Sequence, residues 1–256
     1  MNSLNRISFL VLFICFLSFS VQASDLNPLS DLELLEINRK YSELEKVTTQ
    51  QIREEPDDVS FYSRRGDARL FLGKFSDSRD DYEKMIQLNT QLNISHWRLG
   101  IAYFYLADFS KAADQFEIYH EYDQVDRENG IWRFMSQYKE YGIEYARKGL
   151  LTYDKNDRPP YPWLYLMFAG IISPDEVFQK IKKEAFPKEY EKRVLFHANL
   201  YVGIYLELPG DSPKEALLYL SRAVSNEYGN STGTYMWQVA RLHYTKLLFS
   251  LKKNRN

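Results

Sequence analysis

A single cysteine, Cys15, stands in the 256 residues of this chain. An intrachain disulfide framework and a cysteine-based zinc site are therefore excluded. The chain also lacks a charge of one sign: 33 basic side chains face 35 acidic ones, a formal charge of −2. That balance gives no overall attraction to phosphate, so binding of nucleic acid driven by net charge is not expected. Glycine and proline are sparse, with 11 and 9 residues, and the glycines are scattered over turns rather than gathered in a phosphate-binding loop. No H-E-x-x-H, G-x-S-x-G or dinucleotide fingerprint occurs. What the chain has in quantity is aromatic: 20 Tyr, 16 Phe and 4 Trp. With 45% hydrophobic and 27% charged residues it lies in the ordinary globular range.

The first residues read as an address. Arg6 and the amino terminus supply positive charge, Ile7 to Val21 form an apolar run, and Val21 and Ala23 sit where cleavage before Ser24 requires small or branched residues. The expectation is a signal peptide over 1–23 and an exported chain, periplasmic or secreted. A retained anchor is the alternative, but the run falls short of the ~20 residues that cross a bilayer. Lipidation at Cys15 would need a small residue before it and a polar stretch after it; Ile14 precedes and Phe16-Leu17 follow. The mature chain then contains no cysteine and no membrane span, and packing alone must stabilise it.

The mature chain reads as helices. Gly66 and Gly100 lie 34 residues apart, and aligning on them matches Ala68 with Ala102, Leu72 with Leu106, Phe75 with Phe109 and Tyr82 with Phe116. Small residues mark where two antiparallel helices approach; the aromatics fill the space beside them. A third unit places Gly203 before Ala216, Leu220 and Ala223. Helix starts are signalled by Ser30-Asp31-Leu32-Glu33, Ser173-Pro174-Asp175-Glu176 and Ser212-Pro213-Lys214-Glu215. The first opens a stripe of Leu34, Ile37, Tyr41 and Leu44. Between the clear units, the sequence predicts short helices broken near Tyr141-Gly142, and a Pro-rich loop, Lys155 to Pro162, that excludes helix. No alternation of period two persists, so no sheet is expected.

These spacings resemble the tetratricopeptide repeat (TPR), a 34-residue helix–turn–helix unit. The fold class expected is an all-α, TPR-type α-solenoid of roughly five antiparallel helix pairs. Its organisation is 1–23 signal peptide, 24–58 leading helix and acidic linker, 59–124 two repeats, 125–189 degenerate helix pairs, and 190–256 a C-terminal repeat and final helix. The second half, from Ile131 to Val224, is similar in layout to the NlpI-type periplasmic lipoproteins. That resemblance implies a non-catalytic adaptor for envelope proteases or peptidoglycan hydrolases, and the missing lipobox departs from it.

Chemistry is thinly marked. His96, His120, His197 and His243 show no metal-ligand spacing. Asp123 to Asp126 and Asp154 to Asp157 lack the glycine and alternating ligands of a calcium loop and read as turns. Asp80 and Asp81 point about 100° apart on a helix. No catalytic, cofactor or metal residue is assigned, and no enzyme is expected. A binding groove has better support. The resemblance implies that first helices line a concave face, presenting Trp97, Ile101, Phe104 and Tyr105 from the second repeat and Leu70 and Phe71 from the first. Arg64 and Arg98 would stand nearby for a partner's carboxylate. The two-carboxylate clamp of chaperone-binding repeats is missing, since Ser63, Asp67 and Ile101 stand where Lys and Asn are needed. The leading expectation is a scaffold for a protein partner. A self-assembling homodimer and a glycan- or cell-wall-associated protein are the alternatives.

Overall fold

The computed structural model describes residues 28–253, and the signal-peptide assignment at 1–23 lies outside them. Among the described residues the chain is all helical. Helix α1 (Asp31–Glu54) begins at a closed capping box: the Ser30 hydroxyl accepts from the Glu33 amide at 3.2 Å, and the Glu33 carboxylate accepts from the Ser30 amide at 2.7 Å. Its apolar stripe packs on α2 (Val59–Phe71), which pairs with α3 (Phe75–Leu88). After a 3-10 turn, α4 (Trp97–Tyr105) pairs with α5 (Phe109–Tyr122).

The glycine matches are contacts. A Cβ on Gly66 would stand 2.6 Å from the Tyr82 ring; on Gly100 it would stand 2.7 Å from Phe116; on Gly203, 2.8 Å from Leu220. Each first helix lies so close to its second that no side chain fits between. The turns repeat as well. Gly73 has φ 76°, and its equivalent 34 residues on, Ala107, has φ 60°. Both close the same pair of hydrogen bonds: Gly73 N to Leu70 O and Lys74 N to Arg69 O, then Ala107 N to Phe104 O and Asp108 N to Tyr103 O.

The second half is irregular, as its composition implies. Helix α6 (Arg127–Tyr141) stops at Gly142, whose φ is 87°, and a short α7 (Ile143–Lys148) follows. The Pro-rich loop ends at α8 (Tyr161–Phe168), with Tyr161 and Pro162 already in its first turn. Ser173 caps α9 (Pro174–Glu184) with a second complete capping box. Then α10 (Lys188–Glu207) pairs with α11 (Pro213–Ser225). Here one expectation fails: Ser212 has ψ 51° and makes no side-chain cap bond. A capping serine needs extended backbone, as Ser173 has at ψ 164°.

Helices pack chiefly on their sequence neighbours, consistent with a solenoid. The farthest reach is made at the end of the chain. After α12 (Glu227–Thr232), α13 (Tyr235–Lys253) packs on α11 and α12 and also returns to α2. Trp237 anchors it by donating its indole N–H to the Val224 carbonyl at 3.0 Å.

Candidate functional site

The groove expected between the first helices is filled by α13. The Tyr235 ring meets Phe71 at 5.0 Å and Trp97 at 4.8 Å, both edge-on. Arg241 donates to the Phe71 carbonyl at 2.5 Å. His243 pairs with the Tyr105 hydroxyl at 3.0 Å and with the Glu207 carboxylate at 2.7 Å. Leu70 and Ile101 are fully buried, and Phe71, Phe104 and Tyr105 are buried with them. Phe104 packs edge-on against Trp132 at 5.2 Å. These five residues, expected to face a partner, are core. Aromatic spacing marks a face that must be covered, and here the chain's own last helix covers it.

The two arginines separate. Arg64 is exposed and reaches Gln51 of α1 at 3.5 Å. Arg98 is taken by Asp67 at 3.2 Å and Ser63 at 3.1 Å, with its guanidinium over the Trp97 and Tyr235 rings at 5.4 and 5.6 Å. Its charge is neutralised and does not stand ready for a carboxylate. Of the predicted apolar and aromatic residues, only Trp97 remains half-buried.

Trp97 also edges a different feature, a half-open cleft of about 290 Å³ at the junction of α4, α6, α10, α12 and α13. Its polar floor is built at the start of α6. Asp126 caps that helix by accepting from the Glu128 amide at 3.0 Å, and it accepts from the Asn129 side chain at 2.9 Å. Glu128 accepts from the Tyr201 hydroxyl at 2.5 Å and from Arg158 Nη2 at 3.2 Å. Trp132 donates its indole N–H to the Tyr201 oxygen at 3.0 Å. Arg158, from the Pro-rich loop, also holds Asp157 at 3.0 Å and Asp126 at 3.6 Å, over the Tyr161 ring at 4.4 Å. On α10, His197 Nδ1 lies 2.8 Å from the Tyr161 hydroxyl, and Arg193 lines the cleft one turn earlier.

Burial sets the protonation of this floor. It pushes the Glu128 carboxyl up to about 7, with the neighbouring Asp126 charge adding to it; hydrogen bonds from Tyr161 and Tyr201 and the charge of Arg158 offset only part. Burial also raises Asp126. His197 is pressed down to about 3 by burial and by the charges of Arg158 and Arg193, so its ring is neutral near pH 7. A cleft that gathers titratable groups displaced from their usual ranges has the character of a binding site.

None of these floor residues was singled out from the sequence as functional. Asp123 does form the expected turn, accepting from the amides of Val125 and Asp126 at 2.8 and 3.2 Å. The only signal was charge concentrated in two loops, and nothing in the sequence joins Glu128 to Arg158 or Tyr201. No known protein-family model matches the chain. Among the described residues, no group of three or more His, Cys, Asp or Glu is placed to hold a metal ion, and no helix is long and apolar enough to cross a membrane.

Proposed function

We propose that this chain is an exported, non-catalytic TPR-type scaffold that binds a protein partner in the cell envelope, with the α4–α6–α10–α12–α13 cleft as its contact point. The observation that carries the reading is the recurrence of one unit. A glycine against the next helix's aromatic, and a left-handed turn residue seven positions after it, return after 34 residues at Gly66/Gly73 and Gly100/Ala107. Stacked helix-pair units of this kind present extended surfaces used for binding. The likeness in layout to NlpI-type lipoproteins supports envelope proteases or peptidoglycan hydrolases as the partner class, and the residues before Ser24 support export.

The test is crosslinking capture from the native envelope, using tagged chain beside an Arg193→Glu, Tyr228→Ala variant that folds equally by circular dichroism. A partner held by the native chain and lost by the variant supports the reading. Identical capture by both forms removes the cleft as the contact. A second reading, self-assembly, draws on Leu32 and Leu35, each 65% exposed on the outer face of α1. A tight dimer in sedimentation, with no captured partner, would favour it.

A further inference from the structure

Five buried or half-buried arginines, Arg65, Arg69, Arg98, Arg133 and Arg158, each hold a carboxylate at 3.2 Å or closer. Arg147 on α7 holds none. It is half-buried, its Nε is shielded from solvent with no acceptor, and among the described residues no hydrogen bond or ion pair reaches its guanidinium. The group is nevertheless seated. A Cβ on Gly170, whose φ is 77°, would stand 2.8 Å from the Arg147 Cζ, so the turn after α8 leaves the room that the guanidinium occupies. Withdrawing a guanidinium from water without a partner costs free energy that an anion would offset.

Arg147 lines a half-open groove of about 360 Å³ between α6, α7 and the α10–α11 turn. The other walls are mainly apolar: Phe134, Tyr138, Ile143, Leu206 and Leu208. Ser212 also lines it, with a hydroxyl that caps no helix. Asp211 is the one acidic lining residue; it is exposed and makes no ion pair with Arg147. An unpaired positive charge set in apolar walls suits an anion that brings apolar surface with it. Inorganic phosphate brings none. An internal Asp or Glu brings the charge without the apolar group, whereas the last residue of a chain carries a carboxylate and an apolar side chain on one α-carbon.

We propose that this groove receives the C-terminal residue of a partner polypeptide, its carboxylate on Arg147 and its apolar side chain against Phe134, Leu206 and Leu208. Forked Arg–carboxylate pairs are among the strong hydrogen bonds, and capture of a terminal carboxylate is a recurring mode of peptide recognition. The groove shares no lining residue with the α4–α6–α10–α12–α13 cleft and is a second contact. The inference rests on the scaffold reading for the partner's being a polypeptide.

The experiment is fluorescence anisotropy of the folded full-length chain with three labelled probes: the peptide Ser-Ala-Leu-Leu with a free carboxylate, the same peptide as its C-terminal amide, and amidated Ser-Ala-Asp-Leu. Unlabelled decanoate serves as a competitor. The expected result is saturable binding of the free acid, with the amide weaker by about 10–100-fold. Arg147→Gln, folded by circular dichroism, should weaken the acid by a similar factor and leave the amide unmoved, and Arg147→Lys should recover part of the loss. Should Arg147→Gln not fold, the comparison of acid with amide on the native chain decides alone. Equal binding of acid and amide, or binding unaltered in folded Arg147→Gln, would overturn the proposal. Binding of the amidated Asp peptide as tightly as the free acid would make the groove a side-chain site. Decanoate binding with no peptide binding would make it a fatty-acid groove; either result, or no binding at all, removes the chain end as occupant. Failure of the peptides with partner capture intact sinks the carboxylate site and leaves the scaffold; peptide binding with no captured partner does the reverse.

Discussion

At the scale of single residues, the two repeats differ at a position that tests the backbone rather than a contact. Gly73 and Ala107 occupy the same left-handed turn, but alanine adopts that conformation at a cost of about 1 kcal/mol. Ala107→Gly should stabilise the protein by a few tenths to about 1 kcal/mol in urea unfolding, and Gly73→Ala should lose a similar amount. Gly100→Ala should be worse, since its Cβ would meet the buried Phe116 ring at 2.7 Å; a loss of about 1–3 kcal/mol is expected. Titration adds a second signature. His197 and His96 are depressed to about 3 and about 4, first of all by burial. Their neutral forms support the fold above the ordinary histidine range, and that support is lost as pH falls. His197 alone accounts for on the order of 4 kcal/mol by pH 3. Glu128 acts in the opposite sense: held up to about 7, its carboxyl must ionise as pH rises, and stability falls. Denaturant melts should therefore show Glu128→Gln gaining about 2–3 kcal/mol on the native chain between pH 5 and pH 8. A constant difference would show that Glu128 is not held protonated.

At the scale of elements, the three serine starts separate sequence from geometry. Ser30 and Ser173 form complete capping boxes, whereas Ser212, with the same S-P-x-E pattern as Ser173, forms none. Ser173→Ala should cost about 1 kcal/mol by thermal or urea unfolding, and Ser212→Ala close to nothing. Helix starts, the Gly142 break and the glycine–aromatic pairs were legible because each depends on residues close in sequence or on a strict period. The cleft was not. Glu128 meets Arg158, 30 residues on, and Tyr201, 73 residues on, and those meetings depend on how α6, α8 and α10 dock in three dimensions. The destination of α13 was equally hidden, since an amphipathic helix states that it needs a partner without naming which one.

At the scale of the whole molecule, α13 turns an open stack into a closed one. Arg241 reaches back 170 residues to the Phe71 carbonyl, while His243 joins α4 and α10 through Tyr105 and Glu207. Helix-pair arrays that touch only neighbours unfold from their ends; a stack tied across its ends should unfold as one unit. Arg241→Ala should lower stability by about 2–3 kcal/mol through the unpaired buried carbonyl and the lost packing. Removing 234–256 should broaden the urea transition and shift tryptophan emission to the red as Trp97 becomes wet. A sharp, unshifted transition would show that α13 is dispensable.

That tie has a consequence in time. Ribosomes deliver chain at about 5–20 residues per second, and the wall made by Leu70, Phe71, Ile101 and Tyr105 is translated well before the 19-residue helix that shields it. For an interval of several seconds the nascent protein displays a sticky aromatic strip with no cover. That exposed strip is the kind of surface that invites aggregation before folding is complete, and the exposure ends only when the last helix docks.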